Sequence, residues 1–416
     1  MNNAFLKITF IVLYLFSFSC KKDSPEPTPI VEVIPPKEII LTDSSMVSIA
    51  KGFEALLIQR NIIIDQTNDG LIRYGDIKDI DTIKIETGDL NHYEFTSLKG
   101  IEYFTSLLYL GIHGSYVDSV DVSKNVKLRY LDCSGVSAGG AGVNRTVKYL
   151  NVTACKDLQY LYCFNNLLTT LDVSNNPKLI RLDSRFNQLS IIDISQNNQI
   201  EYLNCSFNKK IVNLDLSKNV KLQYLFCADN ILAGLDLSML PDLIELDCSE
   251  NLNENYKTFE TLDISKNPKL KYLSIAATRL SSIDMKNNIL IDELDCSQAL
   301  NLRTIDLSNL NNLYYLDIQR SGLTDIDLRA NSKLEIFNMS ATNLVDVDLT
   351  GNVKLKRFIC YLHNYVTELD LRPCKSLELS YTFQCPNLKT VCVDKIPDVN
   401  DFNWKTDDFS QYKICQ

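Results

Sequence analysis

The stretch LDVSNNPKLIRLDSRFNQLSI, residues 171–191, decides the fold, because the chain repeats it at once as IDISQNNQIEYLNCSFNKKIV, residues 192–212. The apolar residue that opens this unit recurs at intervals of 21 or 22 residues, with one interval of 27, over more than half of the chain. It stands at positions 150, 171, 192, 214, 235, 262, 283, 305, 326, 347 and 369. So regular a period predicts a solenoid, in which each unit stacks on its neighbours to bury one continuous core.

Each unit has two halves, which together read L-x-x-L-x-C-x-x-N-x-L-x-x-L-D-L-S-x-N-x-x. In the first half, apolar residues alternate, as at Leu161 and Cys163, so we expect one short parallel strand with these side chains inward. An Asn then turns the chain, with its amide bonded to backbone groups. This Asn is found at positions 166, 187, 208 and 230. The second half is too short for a helix and predicts an extended return segment on the convex side.

The thirteen cysteines are explained mainly by the repeat. Seven of them share the inward strand slot, which elsewhere holds Ile or Met, so we interpret them as core thiols: Cys133, Cys163, Cys205, Cys227, Cys248, Cys296 and Cys360. Neighbours in such a column point the same way, which does not suit disulfide geometry. The chain also lacks CxxC and His-pair spacings typical of metal sites. Cys155, Cys374 and Cys385 are assigned to the Asn slot of the return half.

The cysteine ladder and the L-D-V-S-x-N-P return segment resemble the cysteine-ladder class of internalin-like surface proteins, over roughly residues 95–391. This resemblance implies a leucine-rich-repeat solenoid, mostly β or α/β, with about twelve 21-residue coils, parallel concave strands and a cap at each end. It also implies an extracellular role in adhesion or recognition, and it does not specify a ligand.

The first residues predict export. Residues 1–19 hold one basic residue, Lys7, and an apolar run too short for a permanent membrane span. The following Cys20 resembles the acylated cysteine of bacterial lipoproteins, although Ser17 stands where Leu is usual. We therefore expect a signal peptide (1–19), a lipidated Cys20 with a Pro-rich linker (20–36) and an outer-membrane lipoprotein facing outward. A periplasmic position, or an ordinary cleaved signal, are the alternatives.

The remaining segments are expected to cap the solenoid: residues 37–107 before the repeats (108–391), and residues 392–416 after them. The spacing of Asp65, Thr67, Asp69, Leu71 and Asp76 fits an EF-hand loop and predicts a weak calcium site. Thr67 and Asp76 depart from the usual ligands, and an Asn-Asp-Gly turn with solvated acids is the alternative. At the other end, Cys392 and Cys415 are left over from the repeat slots, which makes them a disulfide candidate.

Composition and motifs argue against several functions. The formal net charge is −10 with no basic cluster, so nucleic acid is not an expected partner. The membrane is expected to be reached through the lipid alone. The three histidines are far apart, and no acid, base and nucleophile cluster in the sequence, so we expect a monomeric binding module that is not an enzyme and needs no cofactor beyond weak calcium.

An aspartate recurs at the same place in successive return segments, from Asp121 to Asp370, with Asn151 as the exception. Carboxylates one coil apart repel each other, so we expect hydrogen bonds from backbone N–H groups or the adjacent Ser to offset the repulsion. A ladder of bound cations is the alternative.

The ligand is expected on the concave face around coils two to five. The outward strand positions there are rich in aromatic and Arg side chains, which bury much area with few rotamers. They are Tyr130, Tyr160, Tyr162, Phe164, Arg181, Asp183, Arg185, Tyr202, Tyr224 and Phe226. A protein ligand is the first expectation and a surface glycan the alternative. The rings could also serve only as strand residues that pack on one another.

Overall fold

The computed structural model describes residues 40–85, 95–136, 147–252, 259–398, 401–408 and 411–415. The chain divides into two units, Met1–Leu41 and Thr42–Gln416. Of the first unit only Ile40 and Leu41 are described, and neither lies in a helix or strand. Cys20, the linker 20–36 and residues 137–146 lie outside the described residues.

A small cap opens the second unit. It contains strand β1 (Met46–Ser48), helix α1 (Lys51–Gln59), strand β2 (Leu71–Arg73) and helix α2 (Tyr74–Ile77), and β1 pairs antiparallel with β2. Phe53 of α1 is fully buried and its ring packs against those of Phe95 and Phe104, with centroids 5.6 and 5.9 Å apart. One 3₁₀ turn, Ile101–Tyr103, then leads into the repeats. This apolar cluster covers the core of the first coil.

One parallel sheet of fifteen strands runs through the described part of the repeats, and it confirms the predicted solenoid. Its strands recur about every 22 residues, in about thirteen turns. Each strand has three or four residues. In chain order they are β3 (Thr82–Lys84), β4 (Tyr109–Gly111), β6 (Tyr130–Asp132), β8 (Tyr160–Tyr162), β9 (Arg181–Asp183), β10 (Tyr202–Asn204), β11 (Tyr224–Phe226), β12 (Glu245–Asp247), β13 (Tyr272–Ser274), β14 (Glu293–Asp295), β15 (Tyr315–Asp317), β16 (Ile336–Asn338), β17 (Arg357–Ile359), β19 (Leu379–Thr382) and β21 (Trp404–Thr406).

The return segments are mostly extended backbone and turns, with short ladders only near the two ends of the solenoid. There, β5 (Ser119–Asp121) pairs with β7 (Tyr149–Asn151), and β18 (Glu368–Asp370), β20 (Thr390–Val393) and β22 (Tyr412–Ile414) form a parallel sheet of three strands. The middle coils have no return strand among the described residues, so the extended segment that the sequence predicts is present there without a hydrogen-bonded ladder.

The core is a stack of Leu and Cys columns. Leu161 and Cys163 are fully buried, as are their equivalents in the neighbouring coils. The ten free cysteines of the described residues are all buried. Burial raises the pKa of the strand thiols, for example that of Cys205 to about 12, because a low-dielectric core disfavours the thiolate. The thiols therefore behave as small apolar side chains.

Cys385 occupies a different slot from the one predicted. Strand β19 pairs with β17 so that Tyr381 lies beside Ile359, which places Cys385 in the turn after the concave strand rather than in the return half. Its Sγ donates to the Cys360 carbonyl at 2.9 Å, as the Asn of that slot does in earlier coils. Cys385 lies 22 residues after His363, which fills the same slot in the preceding coil.

Two ladders of buried Asn hold the turns. After the concave strand, Asn187 donates through Nδ2 to the Cys163 and Ser184 carbonyls at 2.9 and 3.0 Å, and its Oδ1 accepts from the Leu168 N–H at 3.0 Å. In the return half, Asn197 donates to two carbonyls of the preceding coil at 2.9 and 2.8 Å. The predicted amide-to-backbone bonds are thus present, and each of these Asn side chains makes at least one bond to a neighbouring coil.

The aspartate column of the return segments is explained by local hydrogen bonds. Each Oδ1, and that of Asn151, accepts from the backbone N–H two residues later, at distances between 2.8 and 3.2 Å. These bonds lower the pKa of carboxylates such as Asp172, where the Ser174 hydroxyl contributes most. The column therefore closes one turn per coil.

The last coil is closed by a disulfide and an aromatic pair. Cys392 and Cys415 are bonded, with Cα atoms 5.4 Å apart, and they join β20 to the residue after β22. Trp404 of β21 packs edge-on against Tyr412, with ring centroids 5.9 Å apart. The end of the sheet is thereby tied to the end of the return segments.

Candidate functional site

The outward positions of strands β4 to β11 form a strip of aromatic and Arg side chains on the concave face, which we call the aromatic strip. Tyr160 is the most accessible, with 36% of its surface exposed, and eight of the other nine predicted ligand residues are partly exposed. Tyr109, which the sequence analysis did not include, extends the strip by one coil. The repeat could have identified this residue, because Tyr109 has the same strand position as Tyr130.

The rings of the strip pack on one another from coil to coil. Tyr109 and Tyr130 stack face to face at 4.2 Å, and Tyr130 contacts Tyr162 at 5.5 Å between centroids. Farther along, Tyr202 contacts Tyr224 and Phe226 at 6.1 and 5.5 Å. Parallel pairing at one register aligns equal positions, so such contacts follow from the fold. The ring faces are therefore partly used within the protein.

Two arginines join the aromatic groups into one surface. The Arg181 guanidinium lies 3.4 Å from the Tyr202 ring centroid and 5.6 Å from that of Tyr162. Arg185 lies 4.8 Å from the centroid of Phe164. Stacking on rings fixes both guanidinium groups, while Arg181 Nε is buried and Arg185 Nε lies 3.6 Å from Asp183 Oδ1. The strip is therefore pre-organised over the strands β6 to β11.

Asp183 is a correction to the predicted ligand set. It stands at an outward register position but only 3% of its surface is exposed. Its Oδ1 accepts from the Arg185 N–H at 3.4 Å and lies 3.6 Å from the Arg185 Nε. Burial raises the pKa of this carboxyl, and Arg185 opposes the rise. Because it is buried and bonded to Arg185, Asp183 supports the turn and Arg185 instead of meeting a ligand.

The acidic residues of the later strands share this structural role. The Oδ1 atoms of Asp247, Asp295 and Asp317 each accept from the backbone N–H two residues later, at 3.0, 2.9 and 2.8 Å. Burial raises the pKa of Asp247 and of Asp317. The sequence shows these residues as an acidic outward face, but they serve mainly as acceptors for the turn that follows each strand.

One carboxylate, hydroxyl and imidazole do meet on the concave face, at a place the sequence analysis missed. The Ser134 Oγ donates to Asp132 Oδ1 and lies 2.7 Å from His113 Nδ1. In a nucleophilic triad the carboxylate bonds the imidazole, whereas here Asp132 bonds the serine hydroxyl itself, so the order of groups differs. This cluster adds polar groups to one end of the aromatic strip.

The residues of the predicted calcium loop are only partly brought together. Asp65 Oδ1 accepts from the Thr67 N–H and hydroxyl, both at 2.9 Å, and Asp69 Oδ1 accepts from the Leu71 N–H at 2.9 Å. Asp76 lies in α2 and forms an ion pair with Arg73 at 3.3 Å. Among the described residues no three His, Cys, Asp or Glu side chains are close enough to bind one metal ion.

The predicted lipidation site, Cys20, lies outside the described residues. Within the part of the chain that the structure describes, no helix is both long enough and apolar enough to span a bilayer.

Comparisons with known proteins agree with the repeat architecture. No family model matches the chain. A putative leucine-rich repeat protein of Acanthamoeba polyphaga mimivirus is 27% identical over 143 residues, which cover 34% of this chain and 32% of the viral protein. The match thus spans about a third of that relative's length.

Solved structures give a broader match. The functional domain of InlJ from Listeria monocytogenes, which includes a cysteine ladder, superposes with a TM-score of 0.67 at 24% identity, over 88% of this chain and 82% of that one. The internalin InlF of the same organism has a TM-score of 0.56 at 18% identity, over 83% and 92%. At such identities the likeness concerns the fold. The chain therefore has the fold of a leucine-rich-repeat solenoid.

Proposed function

We propose that this chain is a cell-surface binding module that holds an extracellular or host protein on its concave face. The observation that carries the proposal is the aromatic strip, in which exposed rings and two stacked arginines are fixed by contacts along several coils. Aromatic and Arg side chains provide most of the binding energy in protein interfaces. The solenoid fold, shared with internalins, supports the same interpretation.

A protein ligand agrees better with the strip than a glycan does. Sugars stack on open ring faces, whereas the faces of Tyr109 and Tyr130 are used against each other and Arg181 covers that of Tyr202. What the strip offers is ring edges, hydroxyl groups and guanidinium N–H groups. These groups suit the mixed polar and apolar surface of a protein.

The test is a binding screen followed by a comparison of variants. The full-length protein, purified in detergent, is applied to arrays of extracellular host proteins and of glycans. The triple variant Tyr160→Ser, Tyr162→Ser, Phe164→Ser should lose at least about tenfold in affinity for the ligand found, because it removes three neighbouring rings. The matched control is Ile191→Ser, Val212→Ser, Val345→Ser, which removes three exposed apolar side chains outside the concave strands.

Two results would contradict the proposal. One is a strip variant that keeps full affinity for the ligand. The other is a loss of several kcal/mol of folding stability in that variant, which would make the rings scaffolding. Binding confined to the glycan array would favour the alternative function.

Anchoring is a separate part of the proposal and rests on the sequence around Cys20. A lipidated Cys20 would keep the module on the outer membrane, with the Pro-rich linker as a spacer. Cys20→Ala should leave the protein unacylated and released from the membrane. Protease treatment of intact cells tests orientation, since complete resistance would indicate a periplasmic module.

A further inference from the structure

His363 is a buried imidazole in a slot that earlier coils fill with side chains that do not titrate, such as Asn187 and Thr342. It lies in the turn after β17, and none of its surface is exposed. Its Nδ1 accepts from the backbone N–H groups of Tyr365 and Val366, both at 3.3 Å. Its Nε2 lies 3.0 Å from the Thr342 hydroxyl oxygen. The ring therefore joins its own turn to the preceding coil.

The bonds at Nδ1 fix the protonation state of this ring. A neutral imidazole has one nitrogen that donates and one that accepts. Because two backbone N–H groups point at Nδ1, this atom accepts, and the ring proton lies on Nε2, facing Thr342. A second proton, on Nδ1, would face two donors and would place a positive charge in the core. The fold therefore requires a neutral His363.

The groups around His363 do not compensate a positive charge. Among the described residues, no carboxylate forms an ion pair or a hydrogen bond with its ring. In its own coil, the Tyr365 ring packs edge-on at 6.4 Å between centroids. In the next coil, the Cys385 thiol lies in hydrogen-bonding range of the His363 backbone and 4.0 Å from the Cys360 sulfur. Asp407 accepts from the Cys385 N–H at 2.7 Å, so its carboxylate is already bonded elsewhere.

The cost of charging His363 depends on pH in a definite direction. Burial lowers the pKa of His363 to about 4, from an ordinary value of 6.5. Between these values the opened turn binds more protons than the closed turn, so the closed state loses stability as pH falls. The equilibrium constant for opening should rise about 20-fold from pH 7 to pH 5, and about 100-fold by pH 4.

The place of His363 in the chain confines this opening to one end of the solenoid. Each coil of a solenoid contacts only its neighbours. In the part of the chain that the structure describes, two strands, β19 and β21, follow β17 in the sheet of fifteen strands. The same turn carries Tyr361, whose ring stacks on that of Phe383 in the next coil at 6.2 Å. Loss of the His363 bonds therefore loosens the last coils and leaves the aromatic strip of β4 to β11 in place.

We propose that His363 is an acid-sensitive latch, which holds the last coils to the solenoid while its ring is neutral and releases them when Nδ1 is protonated. The latch is independent of the ligand proposed above, because it lies outside the aromatic strip. In mildly acidic surroundings the chain opens at its C-terminal end and keeps its concave binding surface.

Hydrogen exchange of the turn 361–366 tests the latch, because the Tyr365 and Val366 amides donate to Nδ1. The full-length protein in detergent and His363→Asn are compared at each pH by mass spectrometry. Asn fills this slot in earlier coils and does not titrate. Taking the ratio of the two exchange rates cancels the direct effect of pH on exchange. This ratio, wild type over variant, should rise about 20-fold from pH 7 to pH 5.

His113→Asn is the matched control, because it removes a histidine of the concave face and should keep the wild-type response to pH. The proposal fails if the ratio for the turn 361–366 stays constant from pH 7 to pH 5, or if His113→Asn abolishes the rise. It also fails if wild-type exchange around Leu203 in β10 increases as much as that of the turn, since acid then loosens the whole solenoid.

Should His363→Asn not fold, His363→Thr replaces it, because Thr342 fills the slot in the preceding coil. A constant ratio of wild type to His363→Thr overturns the latch in the same way. The wild type alone gives a further check, since exchange of the turn 361–366 relative to that around Leu203 should increase between pH 7 and pH 5. An unchanged relative rate contradicts the proposal.

Discussion

The Asn ladder after the concave strands should dominate the stability of a coil, and Asn187→Ala is the change that tests it. Asn187 is 7% exposed, so water cannot easily replace its partners. The substitution leaves the buried Leu168 N–H unsatisfied and removes one of two donors from the Cys163 and Ser184 carbonyls, which keep Asn166 and Asn208 at 3.1 and 3.3 Å. At about 1–3 kcal/mol for the unsatisfied N–H and about 0.5–1 kcal/mol for each lost carbonyl bond, partly relieved by relaxation, the free energy of unfolding should fall by about 2–4 kcal/mol.

Urea unfolding followed by circular dichroism measures this loss. Asn175→Ala is the control, because Asn175 is exposed in the same coil, and its effect should stay within about 0.5 kcal/mol. Asn187→Thr should lose less than Asn187→Ala, since Thr278 and Thr342 fill this slot naturally and donate to the carbonyl three residues earlier. A loss below about 1 kcal/mol in Asn187→Ala, or equal losses at both Asn positions, would refute the reasoning.

Three further outcomes are expected. Reducing the Cys392–Cys415 disulfide, whose cysteines are 23 residues apart, should lower the free energy of unfolding by about 3 kcal/mol. Amide hydrogen exchange should then rise first in the last coil. Equal protection from exchange with and without reductant would contradict this. The ten buried free thiols should resist a thiol reagent in the native protein and react after unfolding, and rapid native labelling would show that the core opens. The melting temperature should fall as pH drops from about 4 toward about 2. The reason is that the return aspartates have lowered pKa values in the folded state, that of Asp327 being about 2. The stability that they contribute above their unfolded pKa is therefore lost when they are protonated. Asp172→Asn should flatten this fall slightly, since Asn151 makes the same bond, and a steeper fall would be inconsistent.

The repeat made the fold predictable from the sequence, because every coil has the same pattern of inward and outward positions. The inward Leu and Cys, the Asn turns and the aspartate bonds of the return segments all follow from one 21-residue unit. Prediction was wrong at Cys385, whose slot is fixed by the pairing of β19 with β17. That slot holds Asn, Thr, His or Cys in different coils, so residue type alone could not identify it.

The site was less predictable than the fold. Periodicity places Asp183 on the outward side of its strand, but it cannot show that this side chain is buried beside Arg185. Sequence spacing likewise could not show that Glu54 of α1 accepts a hydrogen bond from the Gly70 N–H, sixteen residues later. Contacts between segments distant in sequence and outside the repeat leave no periodic signal. Only the three-dimensional structure shows such contacts.

The column of buried thiols has a consequence for how this chain must reach its folded state. Before folding, twelve cysteines in the described residues are free to pair, while the finished protein contains one disulfide and ten thiols. In an oxidising compartment most pairings would join the wrong coils and block their stacking. Correct assembly then requires each coil to close faster than its thiol is oxidised. Contacts between adjacent coils are close in sequence and form quickly, and each coil that closes buries another thiol away from the oxidant.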